Sequence, residues 1–243
     1  MNCEYEHIVE LTTQYYFRTQ FFKEQLNGIL IMGYNPGESN DDKMNITTKP
    51  LSSSFFSDEG NLCTWPFNRK IEKFFSLWGF PLETQVEKIS KFEKSIFQSN
   101  WCLKQMAHNS GKDLQICLEN KDFFVKQIQI FKPKILLLFG KQMIYALNNS
   151  LVLPEIECIV GASRPFVMLT KKIENCKKFK IYFQEFRDMN VIVFPHPTGS
   201  IGIQDKYIAA FAEEITPIFE RFMNSEAMIY PCKDECLKLL NNY

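Results

Sequence analysis

The sequence predicts an α/β protein: three layers, α/β/α, around a central, mainly parallel four-stranded sheet. Three observations lead there. Short strand-like runs lie at 29–32, 95–99, 135–139 and 191–194, and their apolar character is that of strands covered on both faces. Segments with helical spacing of apolar residues separate them, which is the pattern of crossover connections in a parallel sheet. The chain has 243 residues and is 45% hydrophobic, enough for one substantial core.

In chain order, Ile8, Leu11, Tyr15, Phe22 and Leu26 suggest an opening amphipathic helix, and residues 29–32 follow as the first strand. Residues 38–66 are polar and aperiodic, longer than most connections in a compact domain. Over 68–78 the residues Ile71, Phe74, Phe75 and Trp78 share one helical face, and Gly79 and Pro81 end it. The second strand is 95–99. A helix is expected over 114–131, the third strand over 135–139 and a short helix over 141–149. Between 150 and 190 the pattern is weaker: strands are expected at 155–160 and 166–169 and a helix at 179–189. The fourth core strand, 191–194, is followed by a long helix over 205–222. Residues 1–223 read as one domain and 224–243 as a tail carrying Cys232 and Cys236.

Composition narrows the class. Lys plus Arg and Asp plus Glu balance at 28 each, so no global field draws the protein to a polyanion. Eight cysteines spread through a chain with a large core read as reduced thiols rather than a disulfide framework. The acidic start, Met1 to Glu6, lacks the order of a signal peptide, and no apolar run reaches the ~18 residues of a membrane span, so a cytoplasmic protein (nuclear in a eukaryote) is expected. No Gly-x-Ser-x-Gly elbow is present.

Two loops carry the chemistry. Gly33-Tyr34-Asn35-Pro36-Gly37 follows the first strand and Pro195-His196-Pro197-Thr198-Gly199 follows the fourth. Right-handed crossovers would put the carboxyl ends of all four strands on one edge, where open α/β sheets bind ligands. Asn35, Asn100, Gly140 and His196 all stand just past such an end.

In order and placement these motifs, with Pro66-Phe67 leading into a helix, Gln98-Ser99-Asn100 ending a strand and Lys132-Pro133-Lys134 before a strand that ends in Gly140, resemble the uracil-DNA glycosylase superfamily over about residues 28–222. The resemblance implies a hydrolase that cleaves the N-glycosidic bond of uracil or a related damaged base in DNA. It implies Asn35 and His196 as catalytic residues, Asn35 orienting the attacking water and His196 donating to a base oxygen. It implies Tyr34, Phe67 and Asn100 as base-binding residues, with Phe67 stacking and Asn100 hydrogen-bonding the pyrimidine edge. Thr198, Gly199, Ser200, Ile201 and Ile203 form a small-residue loop for DNA, with Ile201 or Ile203 as an apolar wedge and Ser200 near phosphate.

Elementary chemistry agrees with these roles. A base inside a duplex must be extruded before its glycosidic bond can be reached, and an aromatic face with edge contacts offsets the lost stacking. A side-chain amide supplies a donor and an acceptor, matching uracil. Asn is no general base at neutral pH, so orientation of water is what Asn35 can offer. Phe55 and Phe56, in the long insertion, compete with Phe67 as the stacking ring. Cys102 and Cys117 fall where iron–sulfur members of the superfamily carry two cluster cysteines, but only Cys3 precedes the first motif and a cluster needs four thiolates, so no cluster, other metal or cofactor is expected. The expected partner is DNA with a damaged base, bound by a monomer. Arg164, Lys171, Lys172, Lys177 and Lys178 make the best local basic face. The alternative is a non-catalytic module that binds a nucleobase, nucleic acid or protein on the same fold.

Overall fold

The structure is a computed structural model that describes residues 22–34, 66–102, 113–172, 179–196 and 205–224. Within these the chain runs β1 (Ile29–Gly33), α1 (Pro66–Leu77), α2 (Lys91–Lys94), β2 (Ile96–Asn100), α3 (Asp113–Glu119), α4 (Lys121–Phe131), β3 (Ile135–Phe139), α5 (Gln142–Leu147), α6 (Leu153–Val160), β4 (Val167–Lys171), β5 (Phe179–Glu185), β6 (Asn190–Phe194), α7 (Asp205–Ala209) and α8 (Ala212–Met223). The opening helix, apart from its last residues, and the tail lie outside the described residues; Lys23–Gln25 forms a 3-10 turn.

The strands form one six-stranded sheet in the order β2-β1-β3-β6-β5-β4. β2, β1, β3 and β6 are mutually parallel, while β5 runs antiparallel to β6 and β4 antiparallel to β5. The α/β class and the four core strands are therefore found, but the expected four-stranded sheet is corrected to a six-stranded mixed one. Two elements cause the difference. Residues 179–189, expected as a helix, contain β5: Phe179 and Ile181 pack in one core layer and Tyr182 in the other, so a strand buried on both faces resembled a helix in its dense apolar content. Residues 155–160, expected as a strand, lie in α6, where Pro154 sits in the first turn and Ile156 and Val160, four apart, are the buried pair.

Two smaller corrections concern helix continuity. The span 114–131 is two helices, broken at Asn120, and 205–222 is also two, broken at Ala210 and Phe211. The helix at 68–78 is found as α1, which opens on Pro66, whose missing N–H costs nothing in a first turn.

Strand alternation divides the core. Ile29 and Ile31, Ile135, Leu137 and Phe139, and Ile192 and Phe194 face a layer with α1, α2, α7 and α8. Leu30 and Met32, Leu136 and Leu138, and Val191 and Val193 face the layer with α3, α4, α5 and α6. Helices thus cover both faces. α1 links β1 to β2 on one face, whereas α3 and α4 link β2 back past β1 to β3 on the other, as crossovers of one hand require. The strand order reverses between β1 and β3, the point where the connections diverge and an α/β sheet opens a crevice.

Candidate ligand site at the carboxyl edge of the sheet

The registers align the ends of the parallel strands. Gly33 pairs with Asn100, Met32 with Leu138, and Phe139 with Phe194, so one row at the carboxyl edge reads Asn100, Gly33, Phe139, Phe194. By alternation all four face the α1 layer. At about 4.8 Å per strand the row spans about 14 Å, and its two phenylalanines, Phe139 and Phe194, are buried.

Gly33 is the position in the row that has no side chain. A β-carbon there would lie 3.1 Å from Asn100 Oδ1 and, among the described residues, would meet nothing else within 4 Å. Gly33 is itself buried, and among the described residues the Asn100 amide is what borders its α1 face. Asn100 itself is held from behind: its carbonyl accepts from Gln127 Nε2 at 3.0 Å, and the next backbone N–H, of Trp101, donates to the Gly33 carbonyl at 2.8 Å. Trp101 stacks on Phe124 with ring centroids 3.6 Å apart and donates Nε1–H to the Cys117 carbonyl at 2.8 Å. The strand end that presents Asn100 is thus locked to α3 and α4.

On the other side stand Phe67 and His196. Phe67 occupies the first turn of α1, half-buried, with its ring edge-on to Phe139 at 5.5 Å and tilted against His196 at 5.9 Å between centroids. His196 is two residues beyond Phe194, so alternation returns it to the α1 face. Three residues chosen from the sequence, Phe67, Asn100 and His196, therefore share one face and one edge.

Tyr34 goes elsewhere. Its ring packs with the opposite layer and lies over Gly140, where any side chain would run into it. Its hydroxyl accepts from the Gln142 backbone N–H at 2.9 Å, and its carbonyl accepts from Cys102 N–H at 2.8 Å. Burial pushes the phenol well above the usual tyrosine range, a rise the Gln142 N–H only partly opposes, so the group stays neutral. The ring expected against a base is instead a peg between the ends of β1 and β3, and it fixes where the chain leaves β1. Asn35, Thr198, Gly199, Ser200, Ile201 and Ile203, together with Phe55 and Phe56, lie outside the described residues.

Cys102 and Cys117 are buried and free. A hydrogen bond with Cys102, then burial, hold the Cys117 thiol far above the ordinary range, so it is a neutral thiol packed at the root of the β2 end. Among the described residues no cluster of three or more His, Cys, Asp or Glu has the spacing to hold a metal ion, and no helix is long and apolar enough to cross a membrane. The basic face is partly spent on structure: Lys171 donates to the Ala210 carbonyl and pairs with Glu214 at 2.8 Å, while Arg164 pairs with Glu185 at 3.2 Å. Asn68 was missed by sequence reasoning. It is 1% exposed on the apolar face of α1, and the signal for it was an amide in line with Ile71 and Phe75.

Fold and site together define an α/β protein with an amide-rimmed, aromatic-flanked notch, the side-chain gap at Gly33, at the carboxyl edge of its sheet. Compared with known proteins, the chain matches no family model and no curated sequence.

Proposed function

We propose that this chain is a monofunctional DNA glycosylase-like hydrolase that removes uracil or a related damaged base. The observation that carries the reading is the side-chain gap at Gly33, bordered by the Asn100 amide, on the same sheet edge as the paired rings of Phe67 and His196. In this reading a flipped base lies on Phe67, Asn100 takes its donor and acceptor edge, and His196 faces a base oxygen. Asn35, two residues beyond Gly33, orients water toward the glycosidic carbon. Bond cleavage leaves negative charge on the departing base, and a fixed donor at that oxygen acts mainly in the transition state. Loss of one such donor typically costs ~3 kcal/mol, a hundredfold or more in rate.

The test is a fluorescent oligonucleotide bearing uracil, treated with enzyme and then alkali, with hypoxanthine, xanthine and oxidised pyrimidines as parallel substrates. Wild type is expected to produce strand breaks that the Asn35→Ala/His196→Ala double variant does not. Equal product from both proteins retires the enzyme. Binding of free base or of DNA without turnover would instead favour the non-catalytic module, which the formal net charge of zero also suits, since no global attraction to DNA is built in.

A further inference from the structure

We propose that Asn68 is a ligand-contacting residue of the same notch, a second amide that reads the edge of a neutral lactam-bearing base; the proposal rests on the nucleobase reading given above. Asn68 is 1% exposed, and neither its Nδ2 nor its Oδ1 has a hydrogen-bond partner among the described residues. Buried amides are nearly always satisfied, and one that is not disfavours the fold relative to an apolar residue of the same shape. The surroundings would suit such a residue: Ile71, Phe74, Phe75 and Trp78 of the same helix all lie in the apolar layer. An amide kept there at a cost to stability points to a partner that arrives with the ligand.

The direction it takes is set by the helix. At 100° per residue Asn68 lies close to the bearing of Phe75, and Phe75 packs on Phe219 of α8 and on Phe92 in α2, the helix that leads into β2. Phe67, on the other flank, packs on Phe139 of β3 and on His196. Asn68 therefore turns to the flank of α1 away from Phe139, in the turn that carries Phe67, at the end of the sheet where Gly33 and Asn100 stand. Gln98, two residues before Asn100 on the same face of β2, adds a buried Oε1 that also has no partner among the described residues.

The chemistry of the occupant follows from the donors present. Asn68, Gln98 and Asn100 offer N–H groups and carbonyl oxygens and no charge. Such a set suits a planar, uncharged N–H/C=O edge, as in uracil or hypoxanthine, and leaves a carboxylate or phosphate uncompensated. Asn68 is assigned to binding and discrimination, not to bond cleavage.

Asn68→Leu and Asn68→Ala test this in the full-length chain, with free uracil and free hypoxanthine as binding probes and the uracil oligonucleotide as substrate. Asn68→Leu is expected to unfold at or above the wild-type temperature, because it removes an unsatisfied polar group and keeps the volume. Both variants are expected to bind the free bases roughly tenfold or more weakly, the discrimination a site loses when a hydrogen-bonding group is removed. Asn68→Leu melting several degrees lower, or both variants failing to fold, would show that the amide serves the fold and overturns the proposal. Unchanged base affinity overturns it too, as does a wild type that neither binds nor excises these bases. Asn68-dependent binding without excision in wild type would sink the glycosylase reading alone, whereas excision unaffected by Asn68→Leu would sink only this inference.

Discussion

Two glycines at the same sheet edge are constrained for different reasons. Gly33 is glycine where a side chain would press on the Asn100 amide oxygen that the site is to use; Gly140 is glycine where a side chain would strike the Tyr34 ring. Gly33→Ala adds one methyl within a paired strand, so unfolding by urea is expected to shift by about 1 kcal/mol or less. Its uracil excision is expected to fall by roughly a hundredfold, because the methyl lies 3.1 Å from Asn100 Oδ1 in the space assigned to the base. Gly140→Ala is expected to behave differently, losing about 1–3 kcal/mol as Tyr34 is forced off its seat and its bond to Gln142 breaks. If both variants lose stability and activity in proportion, the notch above Gly33 has no special role. The sequence puts Gly140 just past a strand end, where it is expected to leave backbone room in a crevice; the Tyr34 ring takes that room, and nothing in a linear chain says that two residues more than a hundred positions apart would meet.

At the scale of elements, the short α2 is held by its start. Ser90 accepts from Phe92 N–H at 3.1 Å, and the Glu93 carboxylate accepts from the Ser90 N–H at 2.8 Å and hydroxyl and from Glu83 N–H at 3.1 Å. Burial pushes the Glu93 carboxyl up, but these donors, Ser90 first, outweigh it and hold the group below the usual carboxylate range. A folded-state pKa below the unfolded one adds stability above the unfolded pKa, lost as pH falls through the folded value. Glu93→Gln is therefore expected to cost about 1 kcal/mol at pH 7, with the gap to wild type closing as pH drops below the ordinary glutamate range of about 4.3. Urea unfolding at pH 7 and at pH 3 checks this; a gap that stays constant with pH would show that the carboxylate contributes nothing ionic. A second junction, Tyr207, joins α7 to β5 by donating to the Lys180 carbonyl at 2.7 Å and accepting its N–H at 3.2 Å, and burial raises its pKa to about 12. Tyr207→Phe is expected to lower stability by about 1 kcal/mol, read as a drop in melting temperature. The parallel strands were readable because burial on both faces leaves a plain apolar run, and β3 is its clearest case. α6 and β5 were not, because Glu155-Ile156-Glu157 alternates like a strand and Phe179 to Phe183 is as densely apolar as a helix buried in the core. The site was legible as strand ends, and Phe67, Asn100 and His196 do share an edge; Tyr34 and Asn68 were not, since their roles depend on which way each side chain turns.

At the scale of the whole molecule the sheet ends unequally. β2 at one end of the order is largely buried, whereas β4 at the other exposes Val167 and Met168, each 44% accessible, and among the described residues pairs with β5 alone. An exposed apolar edge strand presents unpaired N–H and C=O groups to any other chain and is a recognised starting point for association. Among the described residues the far end of β4 is guarded by Lys171, whose ammonium is tied to Glu214 and the Ala210 carbonyl. Val167→Lys combined with Met168→Lys is expected to leave the melting temperature and uracil excision close to wild type, because neither side chain is buried and the notch lies beyond β6 at the parallel end of the sheet. Concentration-dependent association, followed by sedimentation or by light scattering on heating, is expected to recede, since charge on an edge strand makes a second strand costly to desolvate there. The paired outcome separates edge from core: aggregation that persists at the wild-type rate would mean that it begins from unfolded chains, whereas a large fall in melting temperature would mean that β4 contributes to the core more than its exposure implies.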